Sequence, residues 1–179
     1  MGQWPLTGRG EEMNVLAGML DDVSSPTALV IAGGAGIGKT RLARETAAVA
    51  ERQGWVVRYV QGTAAAQAIP LGPFAQWIDQ LDDQPLTVVS SIITAVTASP
   101  ENHPVLIVVD DAQLLDDLSA FVLHQLVQRR LATVIATLRT GETLPKSLTE
   151  LWKDGHLRRL DLQPLSRQQC SALLDSALG

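Results

Sequence analysis

A glycine-rich string at residues 33–40, Gly-Gly-Ala-Gly-Ile-Gly-Lys-Thr, leaves few folds open to this chain. It matches the Gly-x-x-x-x-Gly-Lys-Thr pattern of a phosphate-binding loop, in which glycines let successive backbone N–H groups surround a β-phosphate without interfering Cβ atoms. Lys39 adds a point charge for the β- and γ-phosphates, and the hydroxyl of Thr40 is a ligand for Mg²⁺. The string therefore predicts binding of a nucleoside triphosphate together with Mg²⁺. The predicted nucleotide contacts are Gly33, Gly34, Ala35, Gly36, Ile37, Gly38, Lys39, Thr40 and the next residue, Arg41.

The sequence on either side of this loop has the patterns of a strand and a helix. Residues 28–32, Ala-Leu-Val-Ile-Ala, form the unbroken apolar run expected of a parallel strand that is buried on both faces. From Lys39 to about Arg52 the apolar residues fall mostly on one helical face, and Gly54 supplies a stop signal. The loop thus leads into a helix N-terminus, whose dipole also favours an anion. The alternative interpretation is a glycine turn that only connects the strand to the helix.

A second apolar run ends in two carboxylates. Residues 105–111, Val-Leu-Ile-Val-Val-Asp-Asp, look like a Walker B strand, because Mg²⁺ bound to a triphosphate compensates the cost of desolvating acids at the end of a buried strand. On this interpretation Asp110 holds Mg²⁺ and Asp111 orients or deprotonates the attacking water. Asp111 is shorter than the glutamate that many hydrolytic proteins of this class use, so we expect slow ATP hydrolysis. The alternative is a buried strand followed by two solvated aspartates that begin a turn.

Strand and helix patterns alternate along almost the whole chain. The sequence predicts a helical turn at 64–68, strands at 28–32, 55–61, 105–109, 132–138 and 157–162, and helices near 10–20, 39–52, 74–81, 86–98 and 117–130. This alternation predicts an α/β fold of the P-loop NTPase type, with three layers, α/β/α, and a mainly parallel five-stranded sheet. Because ligands bind at the carboxyl ends of parallel strands, we expect the phosphate loop, Asp110, Asp111 and Arg139 to lie close together.

Length, charge and cysteine content limit the possible functions. The 179 residues are enough for one globular domain, and no apolar run approaches the roughly 20 residues of a membrane span. The first residues carry no leader-like segment, so we expect a cytoplasmic protein without membrane contact. A net charge of −5 argues against direct nucleic-acid binding by this chain. Cys170 is the only cysteine and is predicted to be a small buried packing residue, and the histidines show no metal-ligand spacing.

Several segments beyond the phosphate loop resemble the ATPase core of the STAND class, which comprises signal-transduction relatives of the AAA+ proteins. In particular, the chain resembles the N-terminal ATP-binding domain of the large LuxR-family transcriptional regulators of the actinobacterial type. The similar segments are the Gly-Arg box at 6–16, Ala-Ile-Pro-Leu-Gly-Pro-Phe at 68–74, Asp-Asp-Ala-Gln-Leu-Leu-Asp at 110–116, Ala-Thr-Leu-Arg at 136–139 and Leu-Gln-Pro-Leu-Ser at 162–166. The resemblance covers essentially the whole chain.

The resemblance also implies roles for individual residues. Arg139 would lie near the γ-phosphate and detect it, which makes Lys39, Asp111 and Arg139 the implied catalytic set. Arg9 and Pro164 would lie near the adenine and ribose, with Leu6 as a further wall of the base site. The pair at 129–130 stands about where AAA+ rings keep a trans-acting arginine finger, and the other interpretation is that these arginines cap the preceding helix.

The resemblance divides the chain into an ATPase core, residues 1–165, and the start of a helical lid, residues 166–179. Ser166 and Gln169 have the spacing of a capping box that opens the lid helix. The apolar residues that follow have no later partners in the chain, and they are Leu173, Leu174, Ala177 and Leu178. Related proteins continue into a winged helix, sensor repeats and often a terminal helix-turn-helix. We therefore expect an excised core of a longer, self-associating polypeptide whose other parts bind DNA.

These expectations predict a nucleotide switch in a signal-responsive transcriptional regulator. The first alternative is a small-molecule kinase, which needs an acceptor pocket and an arginine-bearing lid, whereas residues 62–100 are poor in Arg and Asp. The second alternative is an AAA+ ATPase of the replication-initiator or clamp-loader kind, which would assemble into a ring through Arg129 or Arg130.

Overall fold

Strands and helices alternate through the described part of the chain. The structure is a computed structural model that describes residues 8–21, 28–78, 84–167 and 169–171. Its strands are β1 (Ala28–Gly33), β2 (Val56–Gln61), β3 (Val105–Asp110), β4 (Thr133–Arg139) and β5 (Leu157–Asp161). Its helices are α1 (Gly10–Asp21), α2 (Lys39–Arg52), α3 (Ala64–Gln67), α4 (Pro85–Thr97), α5 (Asp117–Gln128) and α6 (Lys146–Lys153), with short 3₁₀ helices at Gly72–Trp77, Pro100–Asn102 and Ala112–Leu114. Within these ranges no helix is both long and apolar enough to cross a membrane.

The five strands form one parallel sheet in the order β2-β3-β4-β1-β5. β1 lies inside the sheet, where Val30 is opposite Ala136 of β4 and Arg159 of β5. Every residue of β1 is buried, as its unbroken apolar run predicts. The predicted α/β fold is confirmed, and each strand begins and ends within one residue of its predicted bounds.

Helices cover both faces of the sheet, because alternate residues of a strand point to opposite sides. On one face α1 and α2 share a buried apolar cluster with Leu29 and Ile31, and on the other face α4, α5 and α6 share a second cluster with Ala28, Val30 and Ala32. In β3, Leu106 and Val108 face the α2 side. Asp110 is the next residue in that alternation, so the strand delivers its carboxylate to the side of the sheet where α2 begins.

The helix predicted near residues 74–81 is wrong in its described part. Gly72–Trp77 form a 3₁₀ helix instead, with Pro73 in its first turn. Gly72 passes so close to α3 that a Cβ atom on it would collide with the carbonyl oxygen of Ala66. This close approach restricts the backbone at the start of the segment. The remainder of the predicted helix lies outside the described residues.

The ends of α2 and α5 follow their sequence signals. Gly54 has φ +86°, and the N–H of Trp55 donates to the carbonyl oxygen of Ala50 at 3.0 Å, which is the pattern of a glycine C-cap. α5 is followed by Arg129 and Arg130, which are both exposed. Their place at this helix end agrees with the capping interpretation.

The segment after β5 confirms one prediction and corrects another. The Ser166 N–H donates to Gln169 Oε1 at 2.8 Å and the Gln169 N–H donates to Ser166 Oγ at 3.2 Å, so the capping box is present. Cys170, however, is exposed rather than buried, because the first turn of this helix lies at the surface. The apolar residues predicted to continue the helix, from 173 onward, lie outside the described residues.

Candidate nucleotide-binding site

The phosphate loop connects the end of β1 to the start of α2, as the sequence predicts. Gly36 and Gly38 have φ of +72° and +100°, left-handed conformations that side chains disfavour. Gly38 is the N-cap of α2 and supplies no side-chain hydrogen bond to the first N–H groups. At α5, by contrast, the carboxylate of Asp116 accepts from the Leu118 and Ser119 N–H groups. The start of α2 is therefore left open for an anion.

Lys39 lies within this loop. The residue is 8% exposed, and its Nζ donates to the carbonyl oxygen of Gly34 at 2.7 Å. An ammonium group has three N–H donors, so Nζ can keep this contact and still donate to two phosphate oxygens. The contact holds the positive charge where the sequence predicts that phosphates bind.

Thr40 and Asp110 meet at the carboxyl edge of the sheet. Thr40 Oγ1 donates to Asp110 Oδ1 at 2.8 Å, although 70 residues separate them in sequence. Thr40 comes from the first turn of α2, and Asp110 is the last residue of β3. The structure thus brings together the two residues that the sequence predicts as Mg²⁺ ligands.

Thr137, to which sequence analysis gave no role, completes this cluster. It is fully buried in β4, and its Oγ1 donates to the same Asp110 Oδ1 at 2.6 Å. The hydroxyl oxygen also accepts from the Asp111 N–H at 2.9 Å. One hydroxyl group therefore fixes both aspartates. The available sequence signal was a polar residue inside the otherwise apolar run of β4.

Asp111 turns the chain sharply away from β3. Its φ of +52° is in the left-handed region, which costs a residue with a Cβ about 1–2 kcal/mol. Its Oδ1 accepts from Gln113 Nε2 at 2.8 Å. Gly62, which follows β2, donates its N–H to the Asp110 carbonyl oxygen at 2.8 Å, and a Cβ on Gly62 would collide with the carbonyl oxygen of Asp111. The turn is therefore held by residues that sequence analysis assigned no role, namely Gly62 and Gln113.

Arg139 ends β4 beside the phosphate loop. It pairs with Gly33 in the register of β4 and β1, and the N–H of Thr140 donates to the Gly33 carbonyl oxygen at 3.0 Å. The Arg139 side chain is exposed. Its position at this edge agrees with the expectation, while contact of Arg139 with a γ-phosphate stays a prediction.

Arg9 contacts the phosphate loop directly. It is 7% exposed, its Nη1 pairs with the Glu12 carboxylate at 2.8 Å, and its Nη2 donates to the carbonyl oxygen of Ile37 at 3.2 Å. The carbonyl oxygen of Gly8, the preceding residue, accepts from Gln169 Nε2 at 3.0 Å. A continuous series of contacts thus links the loop to the helix that follows β5.

Two further predicted nucleotide contacts, Arg41 and Pro164, are partly or fully exposed. Arg41 lies partly exposed in the first turn of α2. Pro164 is exposed and follows Leu162, whose N–H donates to the carbonyl oxygen of Ala32 at 2.7 Å. Leu6 lies outside the described residues. Contact of Arg9, Arg41 and Pro164 with a nucleotide stays a prediction.

A groove of about 500 Å³ runs between α2 and β2 and reaches the pair formed by Thr40 and Asp110. Arg44, Glu51 and Tyr59 line its outer part. Burial raises the pKa of Tyr59 above its ordinary value, Glu51 raises it further, and Arg44 lowers it. The net direction is upward, so this part of the groove presents one cation, one anion and a protonated phenol at neutral pH.

The hydroxyl of Thr40 and the carboxylate of Asp110 fit Mg²⁺. This ion prefers oxygen ligands and binds many proteins through one or two of them, while phosphates and waters supply the others. Among the residues that the structure describes, no group of three or more His, Cys, Asp or Glu side chains is placed to hold a metal ion. The pair is therefore suited to Mg²⁺ that arrives with a nucleotide rather than to a cage of protein ligands.

The sequence match agrees with this geometry. Residues 5–135 match the AAA ATPase domain. This range includes the phosphate loop, Asp110 at the end of β3 and Asp111 in the turn that follows it. The chain belongs to this family. No curated protein matches the sequence at a significant level.

Solved structures share the fold of this AAA ATPase domain at low sequence identity. ORC1 of Aeropyrum pernix, solved in complex with DNA, has a TM-score of 0.65 at 16% identity over 98% of this chain and 50% of its own. AMPPCP-bound DnaA of Aquifex aeolicus has the same TM-score and identity over 96% of this chain and 50% of its own. Hsp104, reconstructed with ATPγS and casein, has a TM-score of 0.63 at 19% identity over 96% of this chain and 29% of its own. The AAA ATPase domain thus spans half the length of these relatives or less, and the likeness is one of fold.

Thr137→Val should lower stability and weaken Mg²⁺-dependent ATP binding. Valine keeps the size of threonine but leaves the partly buried Asp111 N–H without this acceptor and removes one donor to Asp110, which we expect to cost about 1–3 kcal/mol. For a chain of this length that lowers the melting temperature by about 3–10 °C. Calorimetry and thermal unfolding measure both effects.

Two further variants test whether the Thr137 hydroxyl is responsible. Thr137→Ser keeps the hydroxyl and should retain most of the Mg²⁺-dependent affinity. Thr133→Val is the matched control, because Thr133 is buried on the same face of β4 but lies about 13 Å earlier along the strand. Equal effects of the valine substitutions at 133 and 137 would contradict the assigned contacts.

Proposed function

We propose that this AAA ATPase domain binds ATP with Mg²⁺ and acts as a slowly hydrolysing nucleotide switch in a signal-responsive transcriptional regulator of the LuxR type. The observation that carries the proposal is the contact at 2.8 Å between Thr40 of the phosphate loop and Asp110 of β3. The contact joins the two parts of the site that must act on the same phosphates. The Lys39 ammonium, held inside the loop, supports the same conclusion.

Each residue of the site has a distinct part in binding. The open N–H groups at the start of α2 and the Lys39 ammonium bind the β- and γ-phosphates. Thr40 and Asp110 would hold Mg²⁺, which neutralises charge on the phosphates when it is bound. Thr137 keeps the Asp110 carboxylate turned toward Thr40.

Hydrolysis depends on Asp111 in this proposal. Its carboxylate accepts a hydrogen bond from the attacking water and takes its proton as the bond to the γ-phosphorus forms and the β-γ bridging bond breaks. The short side chain of Asp111 and its left-handed backbone limit how closely it can approach that water, which agrees with slow turnover.

A switch needs a path by which the phosphate site influences the rest of the protein. Arg139 lies at the sheet edge beside the loop, where a γ-phosphate would attract it. Arg9 donates a hydrogen bond to the Ile37 carbonyl oxygen of the loop, and the Gly8 carbonyl oxygen accepts one from Gln169. We propose that residues 1–165 act as the core and that residues from 166 onward begin a lid that responds through these contacts.

The assignment to a LuxR-type regulator rests on the resemblance of the segments at 6–16, 110–116 and 136–139. We propose that the full-length protein self-associates in the ATP state and that DNA binding belongs to other parts of it. The net charge of −5 supports the absence of direct nucleic-acid binding by this chain.

A kinase is the second candidate function, because the groove between α2 and β2 reaches Thr40 and Asp110 and could admit an acceptor. Among the described residues that line this groove, the charged side chains outside the metal pair are Arg44 and Glu51, whose charges offset each other. An acceptor that carries phosphate or carboxylate would find little net attraction there. We therefore favour the switch.

Nucleotide titrations and phosphate release separate these functions. ATP and ADP should both bind, ATP more tightly with Mg²⁺ than with EDTA, and phosphate release should be slow and unaffected by DNA or by added small-molecule alcohols. Transfer of labelled phosphate to an alcohol would support the kinase instead. Stimulation of hydrolysis by DNA would support a DNA-dependent ATPase of the initiator kind.

Arg139→Ala should reduce the preference for ATP over ADP by about 10-fold. A guanidinium that meets only the γ-phosphate contributes to ATP binding alone, and loss of one such charge-assisted contact corresponds to about a 10-fold weaker ATP affinity. ADP affinity should stay within about 2-fold, and calorimetry with both nucleotides measures the difference. Arg52→Ala, an exposed arginine at the far end of α2, is the matched control. If the Arg139 substitution weakens ATP and ADP equally, Arg139 does not detect the γ-phosphate.

A further inference from the structure

Gln113 joins two parts of the site that are distant in sequence. It lies in the 3₁₀ helix Ala112–Leu114, directly after the turn at Asp111. Its Nε2 donates to Asp111 Oδ1 at 2.8 Å, and its Oε1 accepts from the backbone N–H of Arg139 at 3.4 Å. One side chain therefore contacts both the proposed catalytic carboxylate and the end of β4.

The two neighbours of Gln113 admit only one orientation of its amide. An ionised carboxylate can only accept a hydrogen bond, so Asp111 must face the NH₂ group. A backbone N–H can only donate, so Arg139 must face the carbonyl oxygen. An amide has both functions, and neither a carboxylate nor an apolar side chain of the same length can satisfy both contacts.

We propose that Gln113 is a positioning residue for ATP hydrolysis. It holds Asp111 by Oδ1, leaves Oδ2 to accept the hydrogen bond of the attacking water, and ties the carboxylate to the strand end that carries Arg139. This inference rests on the proposed role of Asp111 as the residue that activates water.

Asp111 needs such support because the rest of its surroundings fix only its backbone. The Thr137 hydroxyl accepts from the Asp111 N–H, and the close approach of Gly62 limits the carbonyl group. Neither contact restrains the two side-chain torsions of Asp111. A displacement of about 1 Å in a catalytic group can lower a rate about 100-fold, so the contact at 2.8 Å from Gln113 is well placed to matter.

Kinetics distinguish positioning from a general structural effect. Gln113→Met preserves the length of the side chain and removes both contacts, so kcat should fall about 10–100-fold while the KM and Kd for ATP stay within about 2-fold. Gln113→Glu keeps an acceptor for the Arg139 N–H but sets a second carboxylate against Asp111, so its kcat should be at least as low. Gln128→Met, an exposed substitution at the end of α5, should leave kcat unchanged.

A double-mutant comparison tests whether Gln113 acts through Asp111. If it does, adding Gln113→Met to Asp111→Asn should lower kcat by less than 2-fold further, because the carboxylate that Gln113 positions is already gone. A full additional loss would overturn the inference. Hydrolysis slowed by Asp111→Asn but unchanged in Gln113→Met would also overturn it and leave the proposed function standing. Hydrolysis unaffected by Asp111→Asn would instead overturn the proposed role of Asp111, and the role of Gln113 with it.

Nuclear magnetic resonance supplies a readout that does not depend on turnover. The side-chain amide signals of Gln113 can be assigned as those that are absent from the spectrum of Gln113→Met. They should shift in Asp111→Asn and stay in place in Asp154→Asn, an exposed control at the end of α6. The backbone amide signal of Arg139 should shift in Gln113→Met and not in Gln128→Met. Unmoved signals in both experiments would show that the bridge is absent in solution.

Discussion

Lys39→Ala is expected to lower the affinity for ATP by about 100-fold or more. Hydrogen bonds to charged groups contribute about 1.5–3 kcal/mol each, so losing two phosphate contacts of the ammonium removes at least about 3 kcal/mol of binding free energy. The fold should survive, because the hydrogen bond that the Nζ group makes among the described residues goes to the Gly34 carbonyl oxygen within the same loop. Titration calorimetry on the folded variant measures the loss.

The control for this prediction is Lys153→Ala, which removes an equal charge from the exposed last turn of α6. It should leave ATP affinity within about 2-fold of the wild type, since Lys153 is exposed on a different helix and solvent and salt screen exposed charges. Unchanged affinity in a folded Lys39→Ala protein would show that the Lys39 ammonium does not contact the phosphates. That result would remove the main reason for reading residues 33–40 as a nucleoside triphosphate site.

The elements of this fold were predictable where a local pattern decided the outcome. β1 and β3 are apolar runs buried on both faces, and α2 begins and ends at glycines whose positive φ values suit those positions. The helix predicted from residue 74 onward was wrong in its described part, because a helical pattern does not reveal the close contact between Gly72 and Ala66 that restricts the backbone there. The prediction that Cys170 is buried was wrong, because burial at that position depends on packing partners that the sequence does not identify.

The candidate site was predictable only in part, because its polar contacts depend on strand register. β3 and β4 pair with Val109 opposite Ala136, which brings Thr137 next to Asp110. A shift of one residue would place an apolar side chain there and turn Thr137 toward the other face of the sheet. Sequence patterns indicate that both strands are buried but do not fix their register. Lys39, Thr40 and Asp110 could therefore be proposed as site residues from the sequence, while Thr137 and Gln113 could not.

Arg9 illustrates how a residue can be recognised before its contacts are known. The resemblance at 6–16 implied a place near the nucleotide, and the structure shows Arg9 bonded to the Ile37 carbonyl oxygen of the phosphate loop. The Arg9 guanidinium is 7% exposed and paired with Glu12, so it stabilises the conformation of the phosphate loop. Its effect on nucleotide binding would then pass through the shape of the loop, whether or not it also meets the ribose.

Asp110→Asn and Asp111→Asn should separate binding from hydrolysis, although the two residues are adjacent. Asparagine at 110 can still accept from Thr40 and Thr137 but lacks the charge that Mg²⁺ requires, so ATP affinity measured with Mg²⁺ should fall about 10-fold while affinity measured with EDTA stays the same. Asparagine at 111 is a poor proton acceptor, so kcat should fall about 100-fold or more while ATP affinity changes by less than 2-fold.

The separation follows from where the two carboxylates are held. Asp110 is fixed by two hydroxyl donors on the α2 side of the sheet, next to the phosphate loop, whereas Asp111 is turned away by its left-handed backbone and contacts Gln113. Titrations with Mg²⁺ and with EDTA measure the ATP affinity of each variant, and single-turnover phosphate release measures its rate of hydrolysis. A parallel loss of affinity and turnover in both variants would mean that the aspartates act as one metal-binding unit. Water would then have to be activated by another group, and neither Asp111 nor Gln113 would keep its assigned role.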